Sequence, residues 1–208
     1  MTATVASLLA VVTATGLASA QVDDSHLSHP RFASADFQVA GDCVVIDGAV
    51  RAVQGTLLKN GLRGAPTSWS DVTVILWIHN PDPESCDTPE LELSGWAPGP
   101  FAFEDMVAAS VDDFAVHITD ATGSLAADAV VDLRWTATTR QRTTFVNHDV
   151  PTRWFESINV VGASVEGTLV FTNGGGVVPD AFTMTGENAT FAELGKAQVV
   201  AIGATSHP

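Results

Sequence analysis

Alternation of apolar and polar residues in two long segments is the feature that most constrains the fold. In DAVVDLRWTAT (128–138), Leu133 and Trp135 fall on one side of an extended chain and Asp132 falls on the other. The segment ASVEGTLVFTN (163–173) has the same pattern. Successive side chains of a strand point to opposite faces, so such a segment is typical of an antiparallel sheet with one solvated side. The alternation predicts an all-β fold.

The rest of the chain has the strand-like segments and turn-forming residues of such a fold. From Asp36 onward, segments rich in Val, Thr, Ile and Phe are separated by Gly, Pro, Asn and Asp. A chain of 208 residues is long enough to bury one proper core. We therefore expect a single β-domain over 36–208, built as an antiparallel β-sandwich or an open β-barrel. Residues 21–35 are polar and aperiodic and are predicted to be a flexible N-terminal segment.

The first 20 residues have the pattern of an export signal. They contain no charged side chain, hold an apolar stretch around Ala6 to Val12, and end in Ala18-Ser19-Ala20, which suits cleavage before Gln21. A buried N-terminal element and a membrane anchor are the alternatives, although the stretch is short for an anchor. We predict a signal peptide over 1–20 and a secreted, extracellular protein. No other segment is apolar for long enough to span a membrane.

Two cysteines, Cys43 and Cys86, are present. An isolated pair in an exported chain usually closes one disulfide, and we predict that these two pair. Two free thiols or a catalytic cysteine are the alternatives, but no CxxC motif is present.

The chain is strongly acidic, with a net charge of −15 from 24 acidic and 9 basic residues. A negative surface repels phosphate backbones, so nucleic acid is not expected as a partner. No cofactor is predicted, with calcium as the alternative, because several loops carry clustered carboxylates but no calcium-loop motif. The ligands of such a metal are not defined by the sequence.

Motifs of the common catalytic classes are missing. The chain has no GxSxG, HExxH or SxxK motif, and its many acidic residues single out no pair for glycoside hydrolysis. No catalytic residue is predicted, and the sequence favours a non-catalytic role without deciding whether the chain is an enzyme.

Two residue groups are candidates for binding. Four of the nine basic residues lie within 20 positions, and they either balance acidic neighbours across strands or bind an anion. Tryptophans outside the core can stack on sugar rings or pack against a partner. Trp77 and Trp135 end alternating strands and are predicted to be core residues. The candidate binding residues are Trp96, Trp154, Arg134, Arg140, Arg142, Arg153 and His148.

The segment from Asp112 to Ile202 resembles small secreted actinobacterial proteins of unknown function. The resemblance rests on VVDLRWTAT with the Thr/Arg-rich strand after it, on ASVEGTLVF with its glycine-rich turn, and on ENATFAELGKAQVVAI. It covers less than half of the chain. It implies export and β-structure and no mechanism.

Three functions are compatible with these features. The favoured one is a secreted non-catalytic β-domain that binds a glycan, a surface or a protein partner. An extracellular hydrolase on a β-scaffold and a lipocalin-like carrier of a small apolar ligand are the alternatives. The oligomeric state is left open.

Overall fold

The structure, a computed structural model, describes residues 26–58, 65–82, 84, 86–87, 90–139, 143–149, 154–174, 178 and 182–201. In this part of the chain the regular structure is almost entirely extended, apart from a 3₁₀ turn at Gly186–Asn188. The strands are β1 (His26–Ser28), β2 (Arg31–Ala40), β3 (Val45–Leu58), β4 (Thr67–His79), β5 (Leu91–Pro98), β6 (Ala102–Glu104), β7 (Ala108–Thr119), β8 (Ala126–Ala137), β9 (Thr143–Asp149), β10 (Trp154–Thr172), β11 (Phe182–Thr185) and β12 (Ala189–Ala201).

The strands form one antiparallel sheet that closes on itself. Following the hydrogen bonds, the order is β12, β2, β3, β4, β5, β7, β8 and β10. Pairing of β10 with β12 completes the ring at Gly162–Glu193, and the same ladder continues past the ring as far as Trp154–Ala201. The ring is not a regular barrel, because β5 and β7 share the single residue pair Ser94–Thr119. The predicted all-β antiparallel fold is confirmed.

The interior of the ring is filled by the apolar positions of the alternating strands. Leu133 and Trp135 of β8 and Phe171 of β10 are fully buried, as the alternation predicts. The Trp135 indole Nε1 donates a hydrogen bond of 2.9 Å to the carbonyl of Ser34, so its polar atom is satisfied inside the core. These inward positions hold the opposite sides of the ring together.

β5 and β7 approach each other beside a glycine, and the segment that joins them packs into the core. A Cβ on Gly95 would collide with the backbone carbonyl of His117, so glycine is what allows the two strands to approach. Phe101 and Met106, in the segment that joins β5 to β7, are buried in the core.

Beyond the ring, several strands continue into a second region. β1 pairs with β12 and with the end of β3, and β9 pairs with the first part of β10. We call β1, β9, residues 154–160 and residues 196–201 the open extension. Residues 155–160 are half-buried there, in contrast with the buried positions of β10 inside the ring.

Two expectations are corrected by these strands. Within the segment predicted to be flexible (21–35), residues 26–28 form β1 and residues 31–35 begin β2, because pairing with β12 and β3 orders a stretch that lacks internal periodicity. Trp77 was expected in the core but is 37% exposed on the outer face. The core-facing residues of β4 are its even-numbered ones, Val72 to Ile78, and Trp77 has the opposite parity.

The disulfide between Cys43 and Cys86 is present, with a Cα–Cα distance of 5.4 Å. It joins the β2–β3 turn to the β4–β5 connection, at the end of the ring away from the open extension. The proposed signal peptide, residues 1–20, lies outside the described residues. The described residues contain no helix with the length and hydrophobicity needed to cross a bilayer.

Candidate functional site

The outer face of β2 to β5 carries regular rows of side chains set by the strand register. In one row, Arg51, Thr73 and Trp96 lie side by side on β3, β4 and β5. Two rows away, the corresponding positions are Asp47, Trp77 and Glu92. The row between them has Ala49, Ile75 and Ser94. We call these three rows the aromatic face.

Trp96 is the most exposed large apolar residue among those described, at 66% of its surface. It belongs to the outward positions of β5, while Leu93 on the same strand is buried in the core. Four residues along a strand and one strand spacing put the Cα atoms of Trp96 and Trp77 about 14 Å apart. The aromatic face therefore presents two indole rings separated by a shallow strip of smaller side chains.

Polar groups surround Trp77. Gln38 Nε2 donates a hydrogen bond of 2.8 Å to Asp47 Oδ1, and His79 Nδ1 lies 3.5 Å from Asp47 Oδ2. An open groove of about 900 Å³ begins here and is lined by Trp77, His79, Glu92 and Glu90, among others. This end of the face combines an aromatic surface with carboxylates and an imidazole, the groups that sugar hydroxyls use as hydrogen-bond partners.

A half-buried cluster supports the other end of the aromatic face. Arg51 Nη1 lies 2.7 Å from Asp36 Oδ1 and donates to the carbonyls of Ala35 and Val50. These contacts hold the Arg51 guanidinium against the strands. Arg51 therefore forms part of the sheet surface beside Trp96, and its charge is already paired with Asp36.

Glu193 belongs to the same cluster. Burial raises the pKa of its carboxyl, and the hydrogen bond from Ser34 Oγ to Glu193 Oε1, 3.2 Å long, opposes that rise. Glu193 is not among the residues that line the groove. Its position indicates a structural role under the sheet surface.

A separate polar cluster ties together β7, β8 and the end of β10. His117 Nδ1 lies 2.9 Å from Asp128 Oδ1, and Asn173 Nδ2 donates to Asp128 Oδ2 at 2.8 Å. These hydrogen bonds, first from His117 and then from Asn173, lower the pKa of the Asp128 carboxyl. Within the described ranges, no group of three His, Cys, Asp or Glu side chains is arranged to hold a metal ion.

The structure does not bring together Trp96 and Arg134, the two candidate binding residues whose side chains it describes. Trp96 lies on the aromatic face, whereas Arg134 lies on the outer face of β8, directly opposite Glu166 of β10. No ion pair within 4.0 Å joins Arg134 to another described residue. The backbones of His148 and Trp154 belong to β9 and β10 in the open extension, but their side chains lie outside the described part. Arg140, Arg142 and Arg153 also lie outside the described residues.

Sequence reasoning missed Trp77 and its neighbours Asp47, Gln38 and His79. The run VTVILWI is apolar at both parities, so its outward side is not evident from the segment alone. The flanking positions contained a signal: Asp71 and Thr73 share the parity of Trp77 and mark that side as the solvated one.

Comparisons with known proteins give no identity. No protein-family model matches the chain, and no curated protein matches it. One solved structure, titled "Enduracididine biosynthesis enzyme MppR complexed with the condensation product of pyruvate and imidazole 4-carboxaldehyde", aligns with 86% of this chain and 87% of its own. The TM-score is 0.30 and the sequence identity is 8%, so the similarity carries no argument about fold or function.

Proposed function

We propose that this chain is a secreted, non-catalytic β-domain that binds a carbohydrate on the aromatic face. The observation that carries the proposal is the 66% exposure of Trp96 in a row of polar side chains on a sheet surface. An exposed indole ring on a strand of a sheet offers a large apolar area for the faces of sugar rings at a low cost in conformational entropy.

The second aromatic side chain supports an extended ligand. Trp77 lies on the same face, about 14 Å from Trp96 at the standard strand dimensions. The strip between them contains Ser94 and Ile75, which leave room for a flat chain. A linear oligosaccharide that spans both rings would use each as a stacking platform.

The charges around the face favour a neutral or amino sugar. Asp47, Glu90 and Glu92 line the groove at the Trp77 end, and the chain as a whole has a charge of −15. Acidic polysaccharides would be repelled by this surface, whereas hydroxyl and ammonium groups find acceptors there.

The filled interior argues against a lipocalin-like carrier. The inward positions of β8 and β10 hold fully buried Leu133, Trp135 and Phe171. The disulfide and the leader pattern support the secreted part of the proposal, since disulfides persist in oxidising compartments.

Binding of neutral oligosaccharides to the Trp96→Ala variant tests the proposal. Isothermal titration would use the disulfide-intact chain and oligomers of β-1,4-linked glucose, N-acetylglucosamine and glucosamine, with polygalacturonate as the acidic comparison. We expect at least one of the first three to bind, and Trp96→Ala to weaken it at least about tenfold, which is about 1.4 kcal/mol. Trp77→Ala should have a smaller effect, because that ring is less exposed.

Phe145→Ala is the matched control, since Phe145 is an exposed aromatic residue on β9, away from the aromatic face. Truncation of exposed side chains should leave stability within about 0.5 kcal/mol, so a folding defect would not mimic a binding defect. Equal affinities of the wild type and Trp96→Ala, or no binding to any member of the panel, would overturn the proposal.

A further inference from the structure

β9 is an edge strand, since among the described strands it has a partner on one side only. It pairs with residues 154–160 of β10, and no other described strand pairs with it. Residues 143–147 are all exposed, and each face of the strand carries an exposed apolar side chain, Phe145 at 44% on one and Val146 at 63% on the other. One row of its backbone donors and acceptors therefore has no partner strand among the described residues.

The sequence of β9 lacks the features that usually protect such an edge. Natural edge strands carry lysine, proline or inward charges that prevent pairing with other chains. From Thr143 to His148 the strand TTFVNH contains none of these, and its residues are mostly β-branched or aromatic. In a chain with 24 acidic residues, a neutral stretch at an unpaired edge is suited to pairing with another strand.

We propose that β9 pairs with β9 of a second copy of this chain, forming a symmetric antiparallel dimer. With the two-fold axis at Val146, Val146 lies opposite itself and Phe145 lies opposite Asn147. The same register sets Asp149, the one acidic residue of β9, opposite Thr143, so no two like charges face each other. Val146 then makes an apolar cross-strand contact with its own copy.

Two-fold pairing of β9 gives a closed dimer and not an open-ended chain of copies. In a two-fold dimer each β9 edge covers the other, so the assembly closes and no edge remains for further growth. The two copies repel each other through their net charge of −15, but charges beyond about 8 Å are largely screened at physiological salt. The dimer should therefore strengthen as salt is raised from low values to about 0.15 M.

Opposite charges at position 146 test the pairing directly. Sedimentation equilibrium of the disulfide-intact chain should show a wild-type dimer. Val146→Lys and Val146→Glu should each weaken it at least about tenfold, because each puts two like charges face to face. An equimolar mixture of the two variants should recover the association, since Lys then faces Glu. Phe191→Lys is the matched control, because Phe191 is a 50% exposed residue of β12 and should leave the dimer unchanged.

Three results would overturn the proposal. They are a monomeric wild type at all salt concentrations, unchanged dimerisation in the two single variants, and a mixture that associates no better than its components. The Val146 variants leave the aromatic face intact, so the dimer and carbohydrate binding can fail independently.

Discussion

β10 passes through both regions of the molecule, and its two halves have different surroundings. In the closed ring, Val165, Leu169 and Phe171 of this strand are buried. In the open extension, Phe155 and Ile158 of the same strand are half-buried. Both halves are rich in apolar residues, so hydrophobicity alone does not explain the difference. A side chain is buried where the sheet curls back over it.

The comparison predicts an uneven distribution of stability. Backbone groups of the ring are opened only by global unfolding, whereas an edge region with few buried contacts opens locally at low free-energy cost. The substitutions below test this difference, starting from the largest expected effect.

Trp135→Ala should be the most destabilising change. It would leave a cavity in the ring and remove the donor to the Ser34 carbonyl, for a total of about 5 kcal/mol. Phe145→Ala in the open extension should change the free energy of unfolding by less than about 0.5 kcal/mol. Urea unfolding measures both. Similar losses for the two variants would contradict the division into a stable ring and a weakly packed extension.

Loss of the disulfide should come next. The bond joins residues 43 positions apart, and the chain-entropy relation gives about 4 kcal/mol for a loop of this length. The double variant Cys43→Ala/Cys86→Ala should unfold at a lower urea concentration. The β4–β5 connection, which leads to Glu90 in the groove, should show faster hydrogen exchange, while β9 should be unaffected. Unchanged exchange near Glu90 would show that the disulfide does not hold the groove.

Glu193→Gln should change stability less than loss of the disulfide does, and its effect should depend on pH. The raised pKa of Glu193 means that the folded state holds a proton more tightly than the unfolded state. The associated stability is present below the ordinary carboxyl pKa of 4.5 and is lost as pH rises through the higher folded value.

The Glu193→Gln variant keeps an uncharged group beside Ser34, so it should exceed the wild type in stability at neutral pH by less than about 1 kcal/mol. The advantage should vanish in acid. Thermal unfolding across this pH range measures the difference. A variant that is less stable than the wild type at neutral pH would show that the charged carboxylate is needed.

The sequence predicts which side of a single strand is buried, where one side is clearly polar. In β8, Asp132 and Arg134 alternate with Leu133 and Trp135, so the buried side can be identified from the segment alone. In β4 both parities are apolar in the middle of the strand, and the outward position of Trp77 depends on its register with β3 and β5. A pattern within one segment contains no information about its partner strands.

Long-range pairing also explains what was missed elsewhere. Closure of the ring joins β10 to β12, and nothing in the sequence of either strand specifies the other as its partner. Trp96 was expected to lie outside the core, and it is 66% exposed. Its neighbours Arg51 and Thr73 come from two other strands and could not be assembled without the register.

Carbohydrate binding on the aromatic face is tested most directly by NMR spectra of the five tryptophan indole N–H groups during titration with the oligosaccharide that binds best. We predict that the Trp96 signal moves most and that the Trp77 signal moves with it. The Trp135 signal should not shift, because this indole is buried and its N–H donates a hydrogen bond to the Ser34 carbonyl. Assignments follow from the loss of one signal in each Trp→Phe variant. Shifts confined to other tryptophans, or no shift at Trp96 when the sugar is bound, would contradict the assignment of the aromatic face as the binding site.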